Sequence, residues 1–315
     1  MGTPTEQSEP TTAVERRIAG DGGIAAKVLV TGAAGHLGRH VAAALVRCGA
    51  DVRALVRDSG RAPEGIHRDT EVALGNVADE KSVRDAVRDV DLVVHCAAVT
   101  TNNVPWSLHD QTNIGGSRNV LRAAREAGVR RLVHVSSVIV YGLDEPADRT
   151  AMSESALPPE PDRWGFYQRS KLAAERAMSR GSGADTEVVI ARPGIVYGPG
   201  SAGALERGLV QLGPLRLTLG RGSNHLPLVY VDNVVDGILL ALISPAAAGE
   251  AYNLVDQPQP EIRAATLQAA AVRGEAIRLV PVPRAALASV AGVLERWRGR
   301  AGADSPPRLS RFQVA

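Results

Sequence analysis

Cysteine, lysine, aromatic residues and long apolar runs are all scarce in this chain of 315 residues. Its two cysteines, Cys48 and Cys96, each stand in an apolar stretch, where burial in a core is more common than a disulfide or a metal ligand. This usage is typical of a reducing cytoplasm, which is the location we expect. No run approaches the roughly 18 consecutive apolar residues of a membrane span, so we expect no membrane association.

The sequence also lacks a secretory signal and a nucleic-acid-binding pattern. Residues 1–24 have neither the charged start nor the apolar middle of a signal, and their Thr, Pro, Glu, Gly and Ser content predicts a disordered tail. The net charge is only +2, and no basic run is interleaved with aromatic residues, which argues against nucleic acid as a partner. With 44% hydrophobic and 22% charged residues, the chain can bury a sizeable core.

Short apolar runs that are rich in β-branched residues alternate with longer amphipathic runs from residue 27 to residue 191. This alternation predicts an α/β fold, a doubly wound parallel sheet of the Rossmann type with helices on both faces. We expect a dinucleotide-binding domain over 25–193 and a smaller, mixed substrate-binding region over 194–315, from which the chain returns to the first domain near 229–255. The predicted helices lie at 36–48, 79–89, 106–128, 164–180, 232–243, 261–272 and 284–298.

A glycine motif, TGAAGHLG at 31–38, follows the first predicted strand and opens the first helix of the sheet. In this context Gly32 permits a tight turn, Gly35 lets the backbone approach a pyrophosphate, and Gly38 allows helix and strand to pack closely. The free N–H groups of the helix N-terminus favour phosphates. The motif therefore predicts a dinucleotide site whose turn consists of Gly32, Ala34, Gly35, His36, Leu37 and Gly38.

The end of the second predicted strand distinguishes NAD from NADP in a site of this kind. A carboxylate there binds the adenosine ribose of NAD, whereas an arginine receives the additional phosphate of NADP. The strand reads VRALVRD, which places Arg57 at that point, with Asp58 directly after it and Arg39 close to the same pocket. Arg57 favours NADP(H), and Asp58 leaves NAD(H) as the alternative.

Tyr167 and Lys171, in the segment YQRSK, lie one turn apart on a predicted helix. A phenol with its ordinary pKa of about 10 is a poor acid–base group at neutral pH, and a neighbouring ammonium favours its phenolate. Arginine outnumbers lysine by 33 to 3 in this chain, so a lysine here points to a need for a compact ammonium. Ser137 ends the preceding strand and is placed to hydrogen-bond a reacting oxygen, with Ser136 as its neighbour or substitute.

Together these segments resemble the extended short-chain dehydrogenase/reductase family, also called the NAD-dependent epimerase/dehydratase family. The resemblance spans roughly residues 25–255 and rests on the motifs TGxxGxxG, HCAA, TNIGGSRNVLRAA, VSSVIVYG, YxxxK, ARPGIVYGPG, VYVDNV and YNL, in the family's order. It implies that Tyr167 is the acid–base, that Lys171 anchors the nicotinamide ribose and lowers the pKa of Tyr167, and that Ser137 positions the substrate oxygen. It extends the cofactor site to Asn76, Val77, Ala97, Ala98, Pro193 and Ile195.

Departures from the family's sugar-nucleotide enzymes narrow the expected reaction. Related dehydratases carry an Asp-Glu pair where this chain has Val138 and Ile139, and many epimerases carry an asparagine at Ile195 and an arginine at His225 that contact a diphosphate. RPGIVYGP and LVYVDNV instead resemble 3β-hydroxysteroid dehydrogenases and dihydroflavonol reductases. We therefore expect a ketoreductase or secondary alcohol dehydrogenase acting on an apolar cyclic small molecule, with a nucleotide-sugar epimerase as the alternative. The apolar wall that holds the ketone is expected to include the loop residues Trp106, Trp164, Leu205 and Leu226.

Other classes fit the sequence less well. His36 and His40 lie one turn apart, but no third metal ligand stands near them in the sequence, so no metal site is expected. A serine hydrolase would need a G-x-S-x-G motif, which the chain lacks. A dinucleotide-sensing regulator would have lost the triad of Ser137, Tyr167 and Lys171, which is retained. The resemblance also implies a homodimer formed by helices 106–128 and 164–180.

Overall fold

A computed structural model describes residues 11–58, 70–142, 153–155, 157, 164–183, 185–201, 210–212, 214–219 and 222–283. Its strands are β1 (Lys27–Thr31), β2 (Asp51–Val56), β3 (Glu71–Leu74), β4 (Leu92–His95), β5 (Arg131–Val135), β6 (Glu187–Pro193), β7 (Ile195–Tyr197), β8 (Val210–Leu212), β9 (Leu215–Leu219), β10 (Leu228–Tyr230), β11 (Ala251–Leu254) and β12 (Arg278–Val282). Its helices are α1 (Ala13–Gly20), α2 (His36–Arg47), α3 (Glu80–Ala86), α4 (Trp106–His109), α5 (Gly116–Glu126), α6 (Phe166–Arg180), α7 (Val231–Ile243) and α8 (Ile262–Val272).

The central sheet has seven strands in the order β3-β2-β1-β4-β5-β6-β11, and every neighbouring pair is parallel. The apolar strands β4 and β5 are buried along their whole length, as expected of a sheet covered on both faces. The predicted α/β, doubly wound fold is thus confirmed. The strand order reverses between β1 and β4, and in such sheets ligands bind at the carboxyl ends beside this reversal.

Two apolar layers cover the faces of the sheet. One contains buried side chains of α1, α2 and α7, and the other contains side chains of α3, α5 and α6. A third, small cluster joins Val140, Tyr141, Trp164 and Leu172 beside the carboxyl end of β5. The first two clusters fix the strand ends that carry the candidate functional residues, and the third fixes the turn after β5.

Residues 13–20 correct the prediction of a disordered tail over 1–24. They form α1, which begins at Thr12, whose side chain accepts a hydrogen bond from the backbone N–H of Glu15. Glu15 is buried and accepts two hydrogen bonds from Arg47 of α2, at 2.8 and 2.6 Å. The polar composition of this segment gave no indication that it packs against α2 through one ion pair and the buried Ile18. Residues 1–10 lie outside the described part.

The predicted helix over 106–128 is divided into α4, a π-helical segment at Asp110–Gly115, and α5. The other predicted helices within the described residues are found with shifts of a few residues at their ends, while 284–298 lies outside them. After β6 the chain forms the parallel pair β7 and β10, and the three-stranded sheet β12-β9-β8. In the described part of the chain, no helix has the length and apolar character to cross a bilayer.

Candidate active site

The glycine turn lies between β1 and α2, at the reversal of the strand order. Gly32 has a positive φ of 68°, and a Cβ on it would lie 2.7 Å from the Cα of Ala97. A Cβ on Gly38 would lie 2.3 Å from the carbonyl oxygen of Gly32. α2 begins without a side-chain cap, so its first N–H groups face the turn without a side-chain acceptor. This cradle fits the pyrophosphate of a dinucleotide at a helix N-terminus.

The remaining residues of the turn have different surroundings. Ala34 is exposed, whereas Leu37 packs against the apolar layer of α2. The half-buried His36 contacts His40 edge to face, with ring centroids 5.3 Å apart, and its Nδ1 lies 3.3 Å from Nη2 of Arg39. Among the described residues, no group of three or more His, Cys, Asp or Glu side chains is arranged to hold a metal ion.

The residues predicted to contact adenosine lie at the other side of the turn. Arg57 follows β2 directly and is exposed, so its guanidinium is accessible to a ligand. Asn76 is exposed and its Oδ1 accepts a hydrogen bond from the backbone of Ala78 at 3.1 Å. Val77 is buried, and its carbonyl accepts from Asn119 of α5 at 3.0 Å. These contacts place Arg57 and the Asn76–Val77 turn after the neighbouring strands β2 and β3.

A buried polar chain supports the ends of β1 and β4. The Oγ1 of Thr31 lies 2.7 Å from Nδ1 of His95, whose Nε2 lies 3.1 Å from Oγ of Ser117 in α5. The backbone N–H of Ala97 also donates to Thr31 at 3.3 Å, which holds the half-buried Ala97 and Ala98 beside the glycine turn. Burial lowers the pKa of His95 to about 3, so this imidazole is neutral at neutral pH.

Lys171 reaches from α6 to the end of β5. It is 4% exposed, and its Nζ donates a hydrogen bond of 2.7 Å to the carbonyl of Val135. Burial lowers the pKa of Lys171 to about 8, while the nearby Cys96 and Glu175 act to raise it. The ammonium form therefore prevails at neutral pH in a largely desolvated position. Tyr167 lies one helical turn before it on the same helix and is half-buried.

The first turn of α6 is held by the loop that follows β4. The Oδ1 of Asn102 accepts a hydrogen bond of 2.8 Å from the backbone N–H of Tyr167. Gly165 begins the helix, and a Cβ on it would lie 3.0 Å from Nδ2 of Asn102. Since the N-terminal N–H groups of a helix lack partners within the helix, Asn102 fixes the turn that carries Tyr167.

Ser137, rather than Ser136, faces the open side of the strand ends. Ser136 is 3% exposed and its Oγ donates a 2.5 Å hydrogen bond to Oε2 of the buried Glu175. Ser137 is half-buried, and its Oγ lies 3.4 Å from the carbonyl oxygen of Pro193 at the end of β6. The structure therefore brings Ser137, Pro193 and Lys171 to adjoining ends of β5 and β6, and leaves Ser136 engaged elsewhere.

The π-helical segment places Asn113 where sequence reasoning assigned no role. Its side chain bonds the loop residue Val99 twice, accepting from the N–H at 2.7 Å and donating to the carbonyl at 3.0 Å. It also donates to Oγ of Ser170 at 2.8 Å, next to Lys171. Asn113 thus ties the loop after β4 to α6. The extra residue per turn of a π segment is often found at functional sites.

The substrate-side residues are only partly brought together. The backbone N–H of the half-buried Ile195 donates to the carbonyl of Pro227 at 2.6 Å, and His225 is exposed. Trp106 is half-exposed, packs edge to face with Phe166, and has the guanidinium of Arg169 over its ring. Trp164, which we expected beside it in the apolar wall of the pocket, is instead buried in the third cluster. Leu205, expected in the same wall, lies outside the described residues.

Arg39 is directed away from the predicted adenosine pocket. Its Nη2 lies 3.3 Å from the carbonyl oxygen of Pro199, and Nε2 of His40 lies 3.2 Å from the same oxygen. A Cβ on Gly200 would lie 1.6 Å from the Arg39 guanidinium. These contacts join the first turns of α2 to the loop after β7, so Arg39 lies on the substrate side of the glycine turn.

The sequence model of the NAD dependent epimerase/dehydratase family matches residues 28–254. The chain is 30% identical over 238 residues to a 4-hydroxy-2-methyl-3-oxo-4-farnesyl-3,4-dihydroquinoline-1-oxide ketoreductase of Stigmatella aurantiaca, which covers 75% of this chain and 70% of the relative. It is 31% identical over 246 residues to a 3 beta-hydroxysteroid dehydrogenase/Delta 5-->4-isomerase of Mycobacterium tuberculosis, covering 73% and 65%. It is 34% identical over 190 residues to an N-acetyl-alpha-D-glucosaminyl-diphospho-ditrans,octacis-undecaprenol 4-epimerase of Escherichia coli O157:H7, covering 59% and 55%.

Solved structures show the same fold. A short-chain dehydrogenase/reductase superfamily protein of Agrobacterium tumefaciens with bound NAD matches with a TM-score of 0.67 and 27% identity, over 82% of this chain and 86% of that one. MoeE5 in complex with UDP-glucose and NAD matches with a TM-score of 0.67 and 25% identity, over 82% and 85%. The chain therefore belongs to the NAD-dependent epimerase/dehydratase family, the extended branch of the short-chain dehydrogenases/reductases. It is an NAD-dependent oxidoreductase or epimerase, and its predicted likeness to 3β-hydroxysteroid dehydrogenases and ketoreductases is confirmed.

Proposed function

We propose that the protein reduces a ketone, or oxidises the corresponding secondary alcohol, on an apolar cyclic small molecule. The observation that carries this proposal is the absence of sugar-diphosphate contacts at two positions where epimerases of the family have them. At Ile195 the side chain is apolar and the backbone N–H is already bonded to Pro227, so this residue offers a diphosphate no donor. At His225 an exposed imidazole replaces an arginine fork.

The proposed chemistry assigns a separate task to each of three side chains. A nicotinamide cofactor held at the glycine turn would supply a hydride to the carbonyl carbon in reduction and would accept it from the same carbon in oxidation. Tyr167 donates its phenolic proton to the carbonyl oxygen during reduction, and Ser137 donates a hydrogen bond to the same oxygen. Lys171 holds a positive charge one helical turn from Tyr167, which stabilises the phenolate that remains. In alcohol oxidation the same proton moves in the opposite direction.

Dehydration is less well supported than either hydride transfer reaction. An elimination needs a second acid–base pair beside Ser137, and the following residues are Val138 and Ile139 within a short 3-10 turn. The epimerase alternative is supported by the Escherichia coli relative and by the UDP-glucose complex of MoeE5. It requires the enzyme to retain a ketone intermediate while the sugar turns, which the substitutions at Ile195 and His225 disfavour.

The reaction class can be tested with purified protein, stoichiometric NADPH or NADH, and two kinds of substrate. We expect α-tetralone, a bicyclic apolar ketone, to be reduced with equal consumption of cofactor, as followed by absorbance and chiral chromatography. UDP-glucose and UDP-galactose serve as the comparison. Interconversion of these two sugars without net change in the cofactor would reverse the proposal in favour of an epimerase.

We further propose NADP(H) as the preferred cofactor, because Arg57 is exposed at the end of β2. Arg57→Ala is expected to weaken NADPH binding by about 10- to 100-fold, since a charge-assisted hydrogen bond contributes roughly 1.5–3 kcal/mol, and to leave NADH binding nearly unchanged. Fluorescence titration with both cofactors measures this. Arg88→Ala removes another exposed arginine and should alter neither affinity. Equal losses for both cofactors in Arg57→Ala, or tighter binding of NADH by the wild type, would contradict the assignment.

A further inference from the structure

A buried ion pair joins α6 to β6 directly behind Ser137 and Lys171. Nε and Nη2 of Arg192 donate to Oε1 of Glu175 at 3.1 and 2.7 Å. The two side chains are 3% and 0% exposed. Removing two charges from water generally costs as much free energy as their attraction returns, so such a pair is weak evidence for stability alone. The other contacts of Glu175 and Arg192 indicate a second role for the pair.

Each member of the pair also holds a segment of the candidate active site. The second carboxylate oxygen of Glu175 accepts the hydrogen bond from Ser136, the residue before Ser137. Nη1 of Arg192 donates to Oη of Tyr141 at 2.5 Å and to the carbonyl of Glu154 at 2.7 Å. The pair therefore fixes both ends of the turn that follows β5, and it connects this turn to residue 154 in the segment before α6.

Asn253 of β11 connects Tyr141 to Glu154. Oη of Tyr141 donates to Oδ1 of Asn253 at 2.8 Å, and the backbone N–H of Asn253 lies 3.2 Å from Oε1 of Glu154. We call Glu175, Arg192, Tyr141 and Ser136 the Glu175–Arg192 network. Because its donors and acceptors are satisfied by one another, by the Glu154 carbonyl and by Asn253, a change at one member leaves a buried polar group with fewer partners.

Glu175 is also the negative charge that acts on Lys171. It follows Lys171 by one turn of α6, while Cys96 and His95 face Lys171 from the end of β4, and His134 faces it from β5. Burial raises the pKa of Cys96 to about 12, so its thiol is uncharged at neutral pH. Burial lowers the pKa of His95 and His134, so both imidazoles are neutral. Glu175 is thus the carboxylate that α6 brings to Lys171, and the guanidinium of Arg192 faces this carboxylate from β6.

We propose that Glu175 and Arg192 are positioning residues: Glu175 orients the Ser136–Ser137 turn and presents a carboxylate one helical turn from the Lys171 ammonium, and Arg192 fixes Tyr141 and residue 154 to the same strand ends. The inference rests on the proposed function of Ser137 and Lys171. Neither Glu175 nor Arg192 touches the reacting atoms in this arrangement. Their effect passes through the residues that they hold.

The charge effect can be measured without a substrate, because the chain contains only three lysines, Lys27, Lys81 and Lys171. Nuclear magnetic resonance of protein with isotope-labelled lysine side chains follows each titration separately. In the wild type we expect Lys171 to titrate near pH 8. In Glu175→Gln we expect it to titrate at lower pH, because burial then acts without the opposing carboxylate. An unchanged Lys171 titration in a folded Glu175→Gln protein would overturn the charge role.

Arg192→Lys separates positioning from charge. It keeps a cation beside Glu175 and loses the fork that reaches Tyr141 and residue 154. We expect kcat for α-tetralone to fall by roughly 10- to 100-fold, because small displacements of catalytic groups have effects of this size, with KM for NADPH nearly unchanged. The Lys171 titration should stay at its wild-type pH. Unchanged kcat per cofactor-binding site in this variant would reject the positioning role.

Two further variants keep the test decisive. Glu187→Gln removes the carboxylate of a second Glu–Arg pair, Glu187 with Arg131, which lies at the amino ends of β6 and β5, away from the candidate site. It should change neither the Lys171 titration nor kcat. If Glu175→Gln does not fold, Tyr141→Phe removes one hydroxyl of the same network, and unchanged kcat there would also reject the positioning role. If the wild type reduces no α-tetralone, the proposed function fails, while the lysine titration still decides whether the Glu175 carboxylate stabilises the Lys171 ammonium.

Discussion

Tyr167→Phe is expected to reduce turnover of the ketone substrate by about 10²–10⁴-fold, the usual contribution of a positioned acid–base group. Only the hydroxyl is removed, and the first turn of α6 retains its hydrogen bond from the Tyr167 backbone to Asn102. The fold and the glycine turn should therefore remain intact. The measurement is kcat under saturating NADPH, together with a fluorescence titration that counts cofactor-binding sites.

Tyr252→Phe provides the matched control for this prediction. Tyr252 lies on β11, is 37% exposed, and its hydroxyl makes one long contact of 3.4 Å to the carbonyl of Ala246. Loss of this hydroxyl should leave kcat within twofold of the wild type. A decrease of less than tenfold in Tyr167→Phe, with full cofactor binding, would show that another group transfers the proton.

Lys171→Arg is expected to lower kcat/KM by about 10²-fold or more, although it conserves the positive charge. Lys171 is 4% exposed, and its Nζ already makes a 2.7 Å hydrogen bond to Val135, so a planar guanidinium must displace its neighbours. A guanidinium also stays protonated at any accessible pH. If the alkaline limb of the wild-type rate profile reflects Lys171, whose pKa is lowered to about 8 by burial, this limb should disappear from the residual activity of the variant.

Lys81→Arg is the matched control, because it shows whether replacing a lysine of this chain by arginine lowers the activity even outside the candidate site. Lys81 lies on the surface of α3, with its Nζ 2.8 Å from Asp85 and 83% of its side chain exposed. An exposed pair of this kind contributes about 0–1 kcal/mol, so Lys81→Arg should be indistinguishable from the wild type in rate and melting temperature. Wild-type activity in Lys171→Arg would remove Lys171 from the proposed mechanism.

The sequence predicted the frame of the site well because its signals are local. β1 and the glycine turn form one continuous motif, and a Cβ at Gly32 or Gly38 meets backbone atoms that no rearrangement of side chains moves away. The spacing of Tyr167 and Lys171 places both on α6 wherever the helix packs. The alternation of apolar and amphipathic runs predicted the parallel sheet for the same reason. The hydrophobic periodicity of each run depends only on whether that run is a strand or a helix.

The parts that sequence reasoning missed depend on contacts between distant segments. Asn113 is significant because a π turn directs it at Val99 and Ser170, and neither partner is marked in the sequence. Trp164 looked like a wall of the pocket, but the glycine at position 142 leaves space for its ring in the third cluster. The spacing of Glu175 from Lys171 was visible as a second helical turn, which is the signal that could have identified it.

Helix α1, near the beginning of the described chain, packs against α2 and against the much later helix α7. Its flanking residue Thr12 donates a 2.6 Å hydrogen bond to Asp236 of α7, 224 positions later, while Glu15 pairs with Arg47. During synthesis the ribosome must therefore release α7 before α1 can complete its docking site. Helix α1 is therefore synthesised well before its partner α7, and until α7 emerges the apolar side chains of Ile18 and Val14 lack part of their packing surface and are available to chaperones.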